Sequence, residues 1–212
     1  MKKDIETIEE RVRELLQSSE RGAHTYDHSL RVLKIALEIG QEEDANLKVV
    51  GAAALLHDIG RAEERETGIS HAILSGEMAR PILEEVGFSR EEISLVIDAI
   101  RTHRFSEDLT PNTLEGEILS DADKLDAMGA IGAYRAIAQS AVTGVGIEGF
   151  LSHADEKLLR LNQLLHTPSG KALGKQRHRV LELLVDELRR EVASTEGLTT
   201  PELSSIPDMR GE

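Results

Sequence analysis

The chain has 212 residues, enough for one full-sized domain with a sizeable core. Lysine and arginine number 25 against 39 aspartates and glutamates, a net charge of −14 that argues against a nucleic-acid polymer as partner. Cysteine is absent, which excludes disulfides, thiolate metal sites and cysteine nucleophiles, so any metal must sit on His, Asp or Glu. The N-terminus MKKDIETIEERVREL has no apolar h-region, and no apolar run approaches the ~20 residues that span a bilayer. The sequence therefore reads as cytoplasmic, with no membrane partner.

Aromatic residues make up only 2 %, so the core must be aliphatic, which favours helix packing over a β-sandwich. Ile5, Ile8, Val12, Leu15 and Leu16 recur at helical spacing and mark an amphipathic first helix. A second is expected from about Asp27 to Ile39, stopped by Gly40, and a third from about Asn46 to Asp58, stopped by Gly60 as a C-terminal glycine. A fourth covers roughly Ser70 to Val86. A fifth opens with Ser89-Arg90-Glu91-Glu92, a capping box, and runs to His103. Asp108 to Asn112, around Pro111, reads as a loop.

From about Thr113 to Gln139 an alanine-rich stretch predicts one long helix or two abutting ones. Two more amphipathic helices follow over Ser152 to His166 and Gly170 to Val192, separated by Pro168. From Ser194 onward the period is lost and two prolines appear, so residues 194–212 read as a loosely ordered tail behind a single bundle over 1–193. The fold class is all-α, a helical bundle of about seven to nine helices.

Gly144-Val145-Gly146-Ile147-Glu148-Gly149 matches the dinucleotide fingerprint G-x-G-x-x-G letter for letter. That fingerprint works where a strand turns into a helix inside a βαβ unit, and here it follows a helix in a chain without a parallel sheet. A Gly-rich loop near the site is the better reading.

Five of the eight histidines, His24, His28, His57, His71 and His103, lie in the first half of the chain. His28 shares a face with Val32 and Ile35, His57 with Leu47, Val50 and Ala54, and His103 with Ile93, Val96 and Ile100; His71 opens a helix whose inner face continues through Leu74, Met78 and Ile82. Four inward histidines need polar partners in the core. Asp58 directly follows His57, and Leu119-Ser120-Asp121-Ala122-Asp123-Lys124-Leu125-Asp126-Ala127 sets an acidic cluster in an apolar helix, where either Asp121 or Asp123 can face inward. Imidazoles and carboxylates together describe a shell for Mn, Fe, Co, Ni, Zn or Mg.

The order H…HD…D, carried by His28-Ser29-Leu30-Arg31-Val32, Ala54-Leu55-Leu56-His57-Asp58-Ile59-Gly60 and Asp121-Ala122-Asp123-Lys124-Leu125-Asp126-Ala127-Met128-Gly129-Ala130, resembles the HD-domain superfamily of metal-dependent phosphohydrolases, and is most similar to its stand-alone HDIG members. The resemblance implies that His28, His57, Asp58 and Asp123 bind one divalent metal, and leaves Asp121 as a helix-start residue. It implies hydrolysis of a small phosphorylated substrate, most plausibly a nucleotide, by a metal-activated water. Asp58 is placed to orient that water or accept its proton, with Glu63 or Glu64 as alternative bases. His71 and His103 fall where some subfamilies bind a second metal or contact phosphate. His24 would brace the first ligand. Arg61, Lys124, Lys157 and Arg177 are candidate phosphate contacts. An HD-fold di-iron oxygenase and a non-catalytic nucleotide or metal sensor are the competing readings, and the sequence leaves the oligomeric state open.

Overall fold

The computed structural model describes residues 2–17, 26–104 and 109–195. Among these residues every regular element is helical: α1 (Lys2–Gln17), α2 (Tyr26–Glu42), α3 (Leu47–Leu56), α4 (Arg61–Thr67), α5 (His71–Val86), α6 (Arg90–Thr102), α7 (Leu114–Asp126), α8 (Gly129–Thr143), α9 (Gly146–Glu156), a 3-10 helix over Leu158–Leu164, and α10 (Pro168–Thr195). The all-α class follows the sequence. The ten α-helices exceed the about seven to nine that periodicity predicts by one added helix, and one expected helix is shifted. Helix α4, RAEERET, buries no residue and so carries no apolar period. The segment expected as one helix over Ser152 to His166 divides into the end of α9 and a 3-10 turn.

Helix starts are set by side chains that satisfy the first free N–H groups. Asn46 accepts from the N–H of Lys48 and Val49, Ser70 from Ala72, and Thr113 from Gly116; Ser89 and Glu92 form the expected capping box. The stretch from Thr113 resolves into two abutting helices, α7 and α8.

Two glycines act differently from the sequence expectation. Gly40 does not stop α2 but lies inside it, where a Cβ would stand 3.0 Å from Leu47 Cδ2, so its bareness lets the start of α3 pack close. Gly60 has φ −87°, not the left-handed C-cap geometry, and α3 ends earlier, at Leu56. A Cβ at Gly60 would sit 2.7 Å from both Leu74 Cβ and Ser75 N, so glycine here permits the turn after α3 to press against α5. Its own N–H donates to Ser75 Oγ at 2.9 Å.

Helix α2 packs on α3 and α7, and α6 packs on α3, α5 and α7. Where they meet, Ile39, Leu55, Leu56, Ile100, Ile118, Leu119 and Leu125 are fully buried, each contributing about 1.5–3 kcal/mol of transfer free energy. Asp121 is not a helix-start residue: it lies in the interior of α7, buried, and accepts from the N–H groups of His166 and Thr167 at 2.8 Å and from Thr167 Oγ1 at 2.7 Å. It thereby fixes the entry of α10 against α7. The Gly144–Gly149 segment is the turn from α8 into the first residues of α9, a helix-to-helix connection as its context predicts. Helix α10 continues through Ser194 and Thr195, two residues past the expected end of the bundle, and the rest of the predicted tail lies outside the described residues.

Candidate metal centre

Five separate elements deliver the polar residues to one point in this core. His28 projects from the inner face of α2, His57 and Asp58 from the turn between α3 and α4, His71 from the first residue of α5, His103 from just beyond α6, and Asp123 from α7. The four histidines and Asp58 are 0–2 % exposed, while the Asp123 side chain is 27 % exposed. His24 lies outside the described residues.

Each ring is held by its Nδ1–H. His28 donates to Asp126 Oδ2 at 2.7 Å, His57 to the Ala54 carbonyl at 2.8 Å, His71 to Glu64 Oε2 at 2.9 Å, and His103 to the Ile100 carbonyl at 2.5 Å. These bonds fix the tautomer and turn every Nε2 toward Asp58. Asp58 Oδ2 lies 3.6 Å from Nε2 of both His28 and His57; Asp58 Oδ1 lies 3.4 Å from His71 Nε2 and 3.9 Å from His103 Nε2. The two triads, His28/His57/Asp58 and Asp58/His71/His103, each bring their ligand atoms within 4.8 Å of one another. Asp123 Oδ1 adds to the first at 3.4 Å from His28 Nε2.

These spacings fit a cation, because ligand atoms each about 2.1 Å from one ion stand about 3–3.5 Å apart at tetrahedral or octahedral angles. Nε2 of His28 and His57 face each other at 3.3 Å, and buried His71 Nε2 has no hydrogen-bond partner. Two imidazole nitrogens in that relation need a proton or a metal between them. The donor set, nitrogen and oxygen without sulfur, suits a divalent first-row ion or magnesium.

The electrostatics differ from ring to ring. Burial lowers His57 and His71 to about 4, so both are neutral at pH 7. Burial alone would also lower His28, but its bonds to Asp123 and Asp126 and the charge of Asp58 reverse this and raise it to about 9. Asp123 and Asp126 are both held below the usual carboxylate range: burial opposes this, and the bonds and charges of the histidines, with Arg31 and Arg135 for Asp126, outweigh it.

The remaining site residues divide. Arg61 joins the cluster, with Nε 2.6 Å from Asp58 Oδ2 and a side chain 26 % exposed. Glu64 accepts from the backbone N–H and Nδ1 of His71 and from Arg104 Nη1 at 2.7 Å, so its carboxylate orients a ring. Lys124 turns back along α7 onto the carbonyl and hydroxyl of Ser120 and is buried, which lowers its pKa. Arg177 donates to the Leu125 carbonyl at 2.5 Å and packs on Gly129, and Lys157 is exposed at the end of α9. The bonds of Lys124 and Arg177 go to backbone and hydroxyl groups of α7, which sequence spacing could not foresee because it carries no information on which way a long side chain folds. Asp126 went unassigned in the sequence reading. It is 1 % exposed, it holds His28, and it accepts from Arg31 Nε at 2.7 Å and from Arg135. Its position three residues after Asp123, on one helix face, was the available signal.

Fold and cluster together define an all-helical protein with a buried His/Asp centre able to hold divalent metal. A model of the HD domain matches residues 25–128, which include every ligand candidate. YpgQ of Bacillus subtilis is 30 % identical over 202 residues, covering 90 % of this chain and 97 % of that protein. The crystal structure of YpgQ in complex with ADP superposes with a TM-score of 0.73 at 28 % identity, covering 89 % of this chain and 95 % of the other. A predicted HD superfamily hydrolase from an uncultured Thermotogales bacterium gives 0.65 at 32 % identity, covering 88 % and 90 %. The chain belongs to the HD domain family, among relatives that include HD-superfamily hydrolases. No helix among the described residues is long and apolar enough to cross a membrane.

Proposed function

We propose that this protein is a divalent-metal-dependent phosphohydrolase acting on a small phosphorylated metabolite, with a nucleotide as the favoured substrate. The observation that carries the reading is the convergence of four oriented Nε2 atoms on Asp58. The nucleotide is supported by the ADP bound in the YpgQ crystal. His28, His57, Asp58 and Asp123 would hold one ion, and His71 and His103 with Asp58 a second. A divalent ion bound there supplies Lewis acidity toward phosphate and lowers the pKa of water.

The chain's own groups supply the rest. His57 and His71 are neutral at pH 7 and act as lone-pair donors, not as acids. Arg61, part exposed beside Asp58, offers a guanidinium to a phosphate oxygen. Asp58, at the middle of the centre, orients the attacking water and takes up its proton, while Asp123, the more solvent-accessible and held as a carboxylate by the histidines, stays a ligand. The water oxygen bonds to phosphorus as the bond to the leaving oxygen breaks. Glu64, engaged by His71 and Arg104, serves the reaction by fixing His71.

The test is release of orthophosphate and pyrophosphate from nucleoside mono- and triphosphates with Mn, Co, Ni or Mg, with Asp58→Ala as control. Metal-dependent release that this variant abolishes supports the reading; no release from any substrate while metal binds overturns it. The Asp58 bridge also favours a second reading, a di-iron oxygenase. Two irons per chain and oxygen-dependent turnover would support that reading, and full activity with Mn in the absence of oxygen would exclude it.

A further inference from the structure

The polar shell outside the ligands is organised in two matching halves. In the triad with His28 and His57, one ring is backed by a carboxylate, Asp126, and the other by the carbonyl of the residue three before it, Ala54. In the triad with His71 and His103, one ring is again backed by a carboxylate, Glu64, and the other by the carbonyl three before it, Ile100. Each carboxylate carries its own guanidinium: Asp126 takes Arg31 at 2.7 Å and also Arg135, and Glu64 takes Arg104 at 2.7 Å. The halves share only Asp58, whose two oxygens face different triads.

We infer that Asp126 and Glu64 are positioning residues, each setting the metal affinity of one half of the centre independently of the other. The inference rests on the metal reading above. A carboxylate behind a ligating imidazole fixes the ring and raises its basicity, whereas a backbone carbonyl fixes the ring alone. Such a partner characteristically governs affinity about 10–100-fold. The guanidiniums set how strongly each carboxylate acts, because an ion pair draws charge away from the imidazole it faces. Asp126 shares its charge between two arginines and is 1 % exposed, while Glu64 has one and is 23 % exposed, so the two halves are not equivalent. Neither residue reaches the centre itself, since the Nδ1 atom it holds faces away from Asp58.

The experiment is titration of the metal-free protein with Co²⁺, followed by its visible absorption and by calorimetry, for the wild type, Asp126→Asn and Glu64→Gln. Each amide keeps one oxygen to accept from Nδ1 and turns the other into an NH2 donor, so the charge is lost together with the acceptor that faces the arginine. The expected result is a 10–100-fold loss of affinity, with an altered cobalt spectrum, at one half of the centre in each variant and less than a twofold change at the other. If the wild type holds a single ion, one variant weakens it and the other leaves it unchanged. Equal loss in both variants, or loss in neither, overturns the inference. A wild type that binds no cobalt overturns the metal reading instead, so the two failures are distinguishable. Should Asp126→Asn lower the melting temperature enough to unfold the chain, Glu64→Gln decides alone, since α4 buries no residue.

Discussion

Adding metal at neutral pH should release about one proton from the protein, and that proton should come from His28. In the metal-free protein His28 is raised to about 9, so at pH 7 about 99 % of it carries both protons. Ligation needs the Nε2 lone pair, so the ion must displace the proton. The competition spans two pH units, about 2.7 kcal/mol or about 100-fold in apparent affinity at pH 7. His57 and His71 sit at about 4 and have no proton to give above about pH 5. Apparent metal affinity should therefore rise about tenfold per pH unit between 6 and 8 and level off above 9. Calorimetry in two buffers of different ionisation enthalpy measures the protons released directly. Release near zero with affinity flat over that range would refute the reasoning.

The same shifts fix the stability profile of the metal-free chain. The raised His28 contributes stability that is complete below about 6.5 and is lost as pH climbs through 9, whereas the depressed His57 and His71 contribute above about 6.5 and are lost as pH falls toward 4. Gly60→Ala forces a Cβ to within 2.7 Å of the α5 backbone, and should destabilise the fold by about 1–3 kcal/mol by thermal melting and weaken metal binding by shifting Asp58. A variant that melts and binds metal like the wild type would sink this account of the turn. Asp121→Ala strands the buried N–H of Thr167 and frees the start of α10, so it should lower stability by about 1–3 kcal/mol with metal affinity intact. A specific loss of metal in a normally stable Asp121→Ala would show that Asp121, not Asp123, is the ligand.

The inward phase of His28, His57 and His103 was legible because a helix repeats every 3.6 residues, and a polar ring in an apolar stripe can point only where the stripe points. The capping box of Ser89 and Glu92 was equally legible, since its chemistry is local. Helix α4 was not, because its formation is imposed by the turn before it and by the Glu64 contacts to α5 and Arg104, with no apolar pattern to announce it.

Sequence by itself determined the all-helical class, the absence of thiolate ligands, and the four imidazoles and Asp58 as groups that burial would draw together, because composition and periodicity act through short-range physics; Asp123 over Asp121 came only from the family resemblance. Tertiary structure alone decided which of the neighbouring aspartates does what. Within six residues, α7 carries Asp121 to the start of α10, Asp123 to the partly exposed side of the centre and Asp126 behind His28. Tertiary structure also decided that Glu64 braces a ring and that Lys124 and Arg177 bond to Ser120 and Leu125 of α7. Those outcomes depend on the angles at which α2 and α10 meet α7 and α4 meets α5, and no local interaction encodes those angles.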